Sequence, residues 1–252
     1  MNPNPLESFP PLYYINLDSR QDRKKHMEKM INMYSLQATR ISAVNGKNLV
    51  DQYVEQIPPR LRQVEIACTV SHLTAIREWY TTSNSETAII CEDDVCFDGV
   101  TSWGSSFNEI VNELPPYWDM VQLCIIYHPL HEKIISLHHR VTYDFSAAIY
   151  MIRRSYAEKL LKLYWKEDIG KWNINGYHYP LPLTSEEAIY RPGVILSIPL
   201  FTFMDTMGSD IQSKEHLDQY HAYSKKLYEH IWKQYKGKAK ALLQMMPSQV
   251  VK

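Results

Sequence analysis

Apolar runs of strand length alternate with segments of helical period along this chain, and that alternation predicts an α/β protein. The expected architecture is a mostly parallel sheet flanked by helices, with a helical tail at the C-terminus. Two observations support it. A β-branched run over residues 87–91 ends abruptly in Glu92, Asp93 and Asp94, and open α/β sheets bind ligands at the carboxyl ends of their strands. A length of 252 residues with 45% apolar composition also suits one such domain plus a small appendage.

Composition narrows the function. A formal charge of −1 argues against a general nucleic-acid binder, which needs a basic surplus to meet phosphates. Cys68, Cys91, Cys96 and Cys124 lie in or beside apolar stretches without zinc-type spacing, so they read as reduced core thiols and suggest a cytoplasmic setting. The polar, proline-broken start and the lack of any run near the roughly 20 apolar residues of a membrane span agree with that expectation. Neither a Walker-type nor a dinucleotide-type glycine loop occurs.

Residues 1–11 read as a leader, 12–212 as the main domain and 213–252 as a helical extension. The first strand falls on 12–17. Ser19 is expected to cap the following helix, with Asp22 completing a capping box, and Met27, Met30, Ile31 and Tyr34 supply its buried face. Arg20 and Arg23 stand in its first turn, where the helix dipole favours anions. Either a phosphate or a neighbouring acid offsets them, or they are exposed and pair with Asp18 and Asp22. Residues 39–44 form a second strand that ends in the turn Asn45-Gly46.

From residue 64, Val64, Ala67, Cys68, Ser71, His72, Ala75, Ile76 and Trp79 make a helical stripe two residues wide. Ser71 and His72 are either satisfied core groups or lie under a nucleotide pocket and hold a base or phosphate. In the acidic strand that follows, extended backbone sends Glu92 and Asp94 to one face and Asp93 to the other. Such an acid-x-acid clamp suits Mg²⁺ or Mn²⁺ bridging a nucleotide's phosphates and leaves Asp93 for a sugar hydroxyl. A solvated acidic turn is the alternative.

Further along, 107–114 is a short helix halted by Pro115-Pro116, and 120–126 is a buried strand. Residues 127–142 read as a loop, and its four histidines, His128, His131, His138 and His139, lack the spacing of a helical zinc pair. A strand of small and β-branched residues over 146–152 leads into a helix with Ala157, Leu160, Leu161 and Tyr164 inward. The aromatic, proline-bearing span 165–183 is a lid, a sugar-stacking wall or a plain surface loop. Thr184 opens a helix with Glu186 and Glu187 in its first turn, 194–198 is a late strand, and 207–211 is a turn. Residues 214–236 form an amphipathic helix with a lysine-bearing outer face.

Four segments in order carry a family resemblance: residues 14–23 (YINLDSRQDR), 42–46 (SAVNG), 67–72 (ACTVSH) and 90–95 (ICEDDV). Together they resemble glycosyltransferase family 25, which includes bacterial lipooligosaccharide galactosyltransferases and animal procollagen galactosyltransferases. Residues 146–161 resemble the family's small-residue strand and helix, so the likeness spans roughly 12–200. It implies a GT-A-like (Rossmann-like) fold, a UDP-sugar donor, a glycan or glycoprotein acceptor, Mn²⁺ or Mg²⁺, and inversion at the anomeric carbon. By position it implies that Asn16, Leu17, Arg20 and Arg23 belong to the donor motif and that Ala43, Val44 and Asn45 line base and ribose. Ser71 and His72 match the family's serine-histidine pair, Asp94 and Glu92 are the expected metal ligands, and Asp93 lies near the ribose or donor sugar. Asn45 departs from the family's usual aspartate, which bears on ribose or donor preference.

For the base that deprotonates the acceptor hydroxyl, Glu186 or Glu187 is expected, with Asp144 and Asp210 in reserve. Two other functions fit the same residues: a catalytically silent nucleotide-sugar-binding protein and a sugar-phosphate nucleotidyltransferase. A second copy of the chain is a candidate partner. Without a signal sequence, the expected setting is bacterial or viral glycan assembly in the cytoplasm, or else the sequence is a piece of a longer chain.

Overall fold

A computed structural model describes residues 4–47, 50–58, 61–127, 135–139, 145–175, 184–204, 208 and 220–244. Eleven strands are present among them: β1 Leu12–Asn16, β2 Ala38–Ser42, β3 Thr87–Glu92, β4 Val95–Cys96, β5 Met120–Gln122, β6 Ser136–His139, β7 Ile149–Arg153, β8 Trp165–Lys166, β9 Lys171–Trp172, β10 Val194–Ser197 and β11 Thr202–Phe203. Seven helices accompany them: α1 Gln21–Tyr34, α2 Gln63–Thr82, α3 Phe107–Asn112, α4 Arg154–Tyr164, α5 Ser185–Tyr190, α6 Ala222–Gln234 and α7 Ala239–Leu243.

The main sheet has the order β2-β1-β3-β7-β5-β10-β6. Strands β1, β2 and β3 pair in parallel, as do β5 and β10, while β7 runs antiparallel to both β3 and β5, and β6 antiparallel to β10. The expected mostly parallel α/β sheet is thus observed, with two reversed strands.

Each strand sends alternate side chains to two separate cores. Leu12, Tyr14, Ile89, Cys91, Ile149 and Met151 face one, which α1, α3, α6 and α7 close with Met27, Phe107, Trp232 and Leu242. Tyr13, Ile15, Ala88, Ile90, Tyr150 and Ile152 face the other, which α2, α4 and α5 close. Burying one large apolar side chain contributes about 1.5–3 kcal/mol, so both faces of the sheet are heavily stabilised.

Several local expectations change. The 39–44 strand ends at Ser42, and the strand expected from residue 146 begins at Ile149. Ser19 does not cap α1. Arg20 occupies the N-cap without a side-chain cap bond, and Asp22 pairs with Arg20 instead of reaching back to the backbone. Helix α2 buries Ile66, Val70 and Leu73 besides the predicted stripe, because it packs on the sheet and also against α4 and α5. The strand expected over 120–126 stops at Gln122, although Leu123 to Ile125 stay buried. Part of the expected 127–142 loop is a strand, since β6 finds β10 as an antiparallel partner.

Trp165–Lys166 and Lys171–Trp172 pair as a small hairpin that buries Trp172, and the rest of the lid-like span, 176–183, lies outside the described residues. So do His128, His131, Asp144, Asp210, residues 207 and 209–211 of the expected turn, and residues 214–219 of the expected long helix. Its described part, α6, buries Tyr228, Ile231 and Trp232 against Trp103 and Phe201.

Candidate functional site

The carboxyl ends of three parallel neighbours, β2, β1 and β3, open into one cleft, and the flank of α2 forms its far wall. Its empty space, open solvent at the mouth included, is about 890 Å³. Leu17 and Ser19 follow β1, Ala43 to Lys47 follow β2, and Glu92, Asp93 and Asp94 end β3. Cys68, Ser71 and His72 come from α2.

The loop after β2 is held close to α2. A Cβ on Gly46 would stand 2.6 Å from the Val64 Cα, so only glycine fits there. Ser71 Oγ accepts from the Val44 N–H at 2.9 Å and donates to the Ala67 carbonyl at 2.7 Å. Its one proton is spent within the helix, so Ser71 fixes the loop that lines the cleft. Asn45 Oδ1 accepts from the Lys47 N–H at 2.9 Å, an Asx turn that uses its amide to shape the loop.

Asp93 and Asp94 do not continue the strand. They form a turn before β4, so the alternation expected of extended backbone fails there. Glu92 meets His72 of α2, while Asp93 and Asp94 share Arg23: its Nη1 lies 2.8 Å from Asp93 Oδ1 and 3.1 Å from Asp94 Oδ2. Asp93 Oδ2 accepts from Asn16 Nδ2 at 2.7 Å, and Arg40 Nε donates to Asn16 Oδ1 at 2.8 Å. Arg23 also donates to the Gly208 carbonyl. It is 6% exposed and offset by acids, one of the two outcomes expected for the arginine pair. Arg20 takes the other and pairs with exposed Asp22.

Glu92 Oε1 meets His72 Nε2 at 3.2 Å, and Tyr150 Oη lies 3.1 Å from His72 Nδ1. Burial pushes the Glu92 carboxyl upward, but the His72 hydrogen bond and charge, with Arg23, leave its pKa below the ordinary value. Asp93 is raised by burial in spite of Arg23 and Asn16. Asp94 is pushed up to about 7, first by burial and then by the neighbouring Glu92 charge, against the pull of Arg23. Three carboxylates therefore crowd one buried guanidinium.

The cleft brings together Leu17, Arg23, Ala43, Val44, Asn45, Ser71, His72, Glu92, Asp93 and Asp94. Asn16 stands behind it as a support for Asp93. Among the described lining residues neither Glu186 nor Glu187 appears. Glu186 accepts from the Ser185 hydroxyl at 2.9 Å, and Glu187 is paired with Arg191. Sequence reasoning assigned no role in the site to Cys68, Arg40, Lys47 or Tyr150. Cys68 was visible as the residue one helical turn before His72, whereas Arg40 carries no signal beyond its place in a half-exposed strand.

An α/β sheet whose strand ends open on an acid-lined cleft defines a class of enzyme that binds charged ligands there, and comparison with protein families makes that class a glycosyltransferase, which joins a sugar donor to an acceptor. Residues 9–115 match the model described as "Glycosyltransferase family 25 (LPS biosynthesis protein)". Every residue lining the cleft falls in that span, while Glu186 and Glu187 lie beyond it. Among solved structures, the crystal structure of HddC from Yersinia pseudotuberculosis complexed with GMP-PN is similar with a TM-score of 0.39 and 10% identity, over 85% of this chain and 99% of that one. No curated protein matches the chain. No helix among the described residues is long and apolar enough to cross a membrane.

Proposed function

We propose that this glycosyltransferase moves a hexose from a UDP-sugar to a hydroxyl of a glycan or glycoprotein, with inversion, and that Glu92 and Asp94 hold Mn²⁺ or Mg²⁺ in the cleft. The observation that carries the reading is the surplus of negative charge at the end of β3. Arg23 is the buried cation there, and burial, then the Glu92 charge beside it, push Asp94 up to about 7 against the pull of that one cation. Carboxylate oxygens facing a cleft fit a hard divalent ion. Such an ion, when bound, supplies the positive charge that a departing diphosphate needs.

The chain's own residues do the rest. Arg23 and Asn16 fix Asp93 at the edge of the cleft, within reach of a donor hydroxyl. Ser71 holds the backbone of Val44, so that residues 43–47 can lie along base and ribose. For the base that takes the acceptor proton, Glu186 ranks above Glu187, because Glu187 is already engaged by Arg191.

Calorimetry with UDP, with and without Mn²⁺, tests the reading, together with UDP release from a panel of UDP-sugars. Metal-dependent UDP binding and release of UDP from one sugar donor are expected. Binding without turnover on any donor supports a silent binder, and preference for UTP with a sugar phosphate supports a nucleotidyltransferase. Glu186→Gln should abolish turnover while keeping UDP affinity, and full activity in both Glu186→Gln and Glu187→Gln removes this pair as base.

A further inference from the structure

Cys68, His72 and Glu92 bring one sulfur, one nitrogen and one oxygen donor within 4.8 Å of one another in the wall of the cleft. Cys68 and His72 stand four residues apart on α2, the spacing that places two side chains on one helical face. Glu92 reaches them from the end of β3, and its Oε1 lies 3.2 Å from His72 Nε2. Two ligands at about 2.0–2.1 Å on a tetrahedral ion stand about 3.3 Å apart, so this pair already has the length of one tetrahedral edge.

The surroundings are those of a ligand set. Tyr150 Oη at 3.1 Å from Nδ1 fixes the His72 ring with Nε2 turned toward Glu92. All three donors line the cleft, which leaves the fourth tetrahedral position open to it.

We propose that Cys68, His72 and Glu92 form a binding site for a zinc-class transition-metal ion, with its open position facing the cleft. Thiolate and imidazole select Zn²⁺ or Co²⁺ over Mg²⁺, so this site differs in metal from the carboxylate site proposed at Glu92 and Asp94, with which it competes for Glu92. Binding displaces the Cys68 thiol proton to solvent, and the sulfur takes the metal in its place. The inference needs no nucleotide and does not rest on the donor reading.

Titration of the metal-free protein with Co²⁺ tests it. The wild type should develop a thiolate-to-cobalt charge-transfer band together with the strong visible bands of tetrahedral cobalt. Cys68→Ser should lose the charge-transfer band, His72→Gln should bind Co²⁺ about tenfold more weakly or worse, and Cys96→Ala should keep the band. Zn²⁺ should displace Co²⁺, and roughly a hundredfold excess of Mg²⁺ should not. Circular dichroism confirms that each variant is folded. A wild type without the thiolate band, or a band that survives Cys68→Ser in folded protein, overturns the site. Because UDP calorimetry with Mn²⁺ is a separate readout, a missing cobalt band beside intact UDP binding rejects this inference alone.

Discussion

The two walls of the cleft handle charge in opposite ways. On the β1 side, Arg40 meets Asn16, Asn16 meets Asp93, and Asp93 meets Arg23, a connected chain in which, among the described residues, only the buried Arg23 Nε has no hydrogen-bond partner. On the α2 side, Glu92 is hydrogen-bonded to His72, and Asp94 shares an Arg23 already committed to Asp93. The first wall is a connected network and serves as scaffold. The second carries surplus negative charge and nucleophilic donors, which is the state of a surface built to receive a cation.

If that contrast holds, the largest effect on stability comes from breaking the scaffold. Arg23→Ala leaves Asp93 buried without its partner, and removing one member of such a pair costs about 3–5 kcal/mol. Urea unfolding of the metal-free protein should show the midpoint falling accordingly. A drop no larger than that of an exposed pair would mean that the first wall is open to water.

The next effect lies on the other wall and has the opposite sign for stability. Asp94→Asn removes a charge that the fold accommodates poorly, so turnover should fall about a hundredfold while the metal-free protein becomes more stable above neutral pH. The sign follows from proton binding. Asp94 releases its proton near 3.8 in an unfolded chain and at about 7 in the folded one. Between those values the folded state holds more protons, so stability declines as pH rises and the loss is complete above about 7. Unfolding midpoints from pH 4 to 8 should show that slope in the wild type and a flatter one in Asp94→Asn.

A smaller change tests how firmly the second wall is supported. Tyr150→Phe takes away the hydroxyl beside His72 Nδ1 and should cost about 1 kcal/mol, read from the same unfolding curves. It should also loosen the imidazole that faces Glu92.

The sequence made the scaffold's parts visible but not their pairing. Residues 12–17 and 87–92 were legible because continuous apolar runs of that length belong to strands buried on both faces. Strand β6 was not, because Ser136 to His139 has no apolar pattern and becomes a strand only through its pairing with β10. The acids of the site were legible as types at a strand end. Their partners were not, since Arg23, Asn16 and His72 reach them from other elements, and the turn at Asp93 and Asp94 is not encoded by local alternation. Ser19 failed as a cap for a related reason: a helix start can be set by tertiary packing when the residues before it line a cleft.

Arg20 sharpens the comparison with the smallest expected effect. It lies one helical turn from Arg23 and belongs to the same motif, yet its guanidinium pairs with an exposed aspartate instead of entering the scaffold. Exposed pairs of this kind contribute little to stability, so Arg20→Ala should leave the unfolding midpoint unchanged within error. A donor diphosphate offers a stronger partner than Asp22, since bidentate guanidinium contacts to phosphate are among the strong hydrogen bonds. If Arg20 swings to that partner, Arg20→Ala weakens UDP binding in calorimetry by about tenfold with stability intact. If UDP affinity is unchanged as well, the motif splits cleanly: Arg23 serves the scaffold, and Arg20 is only a surface charge beside the cleft.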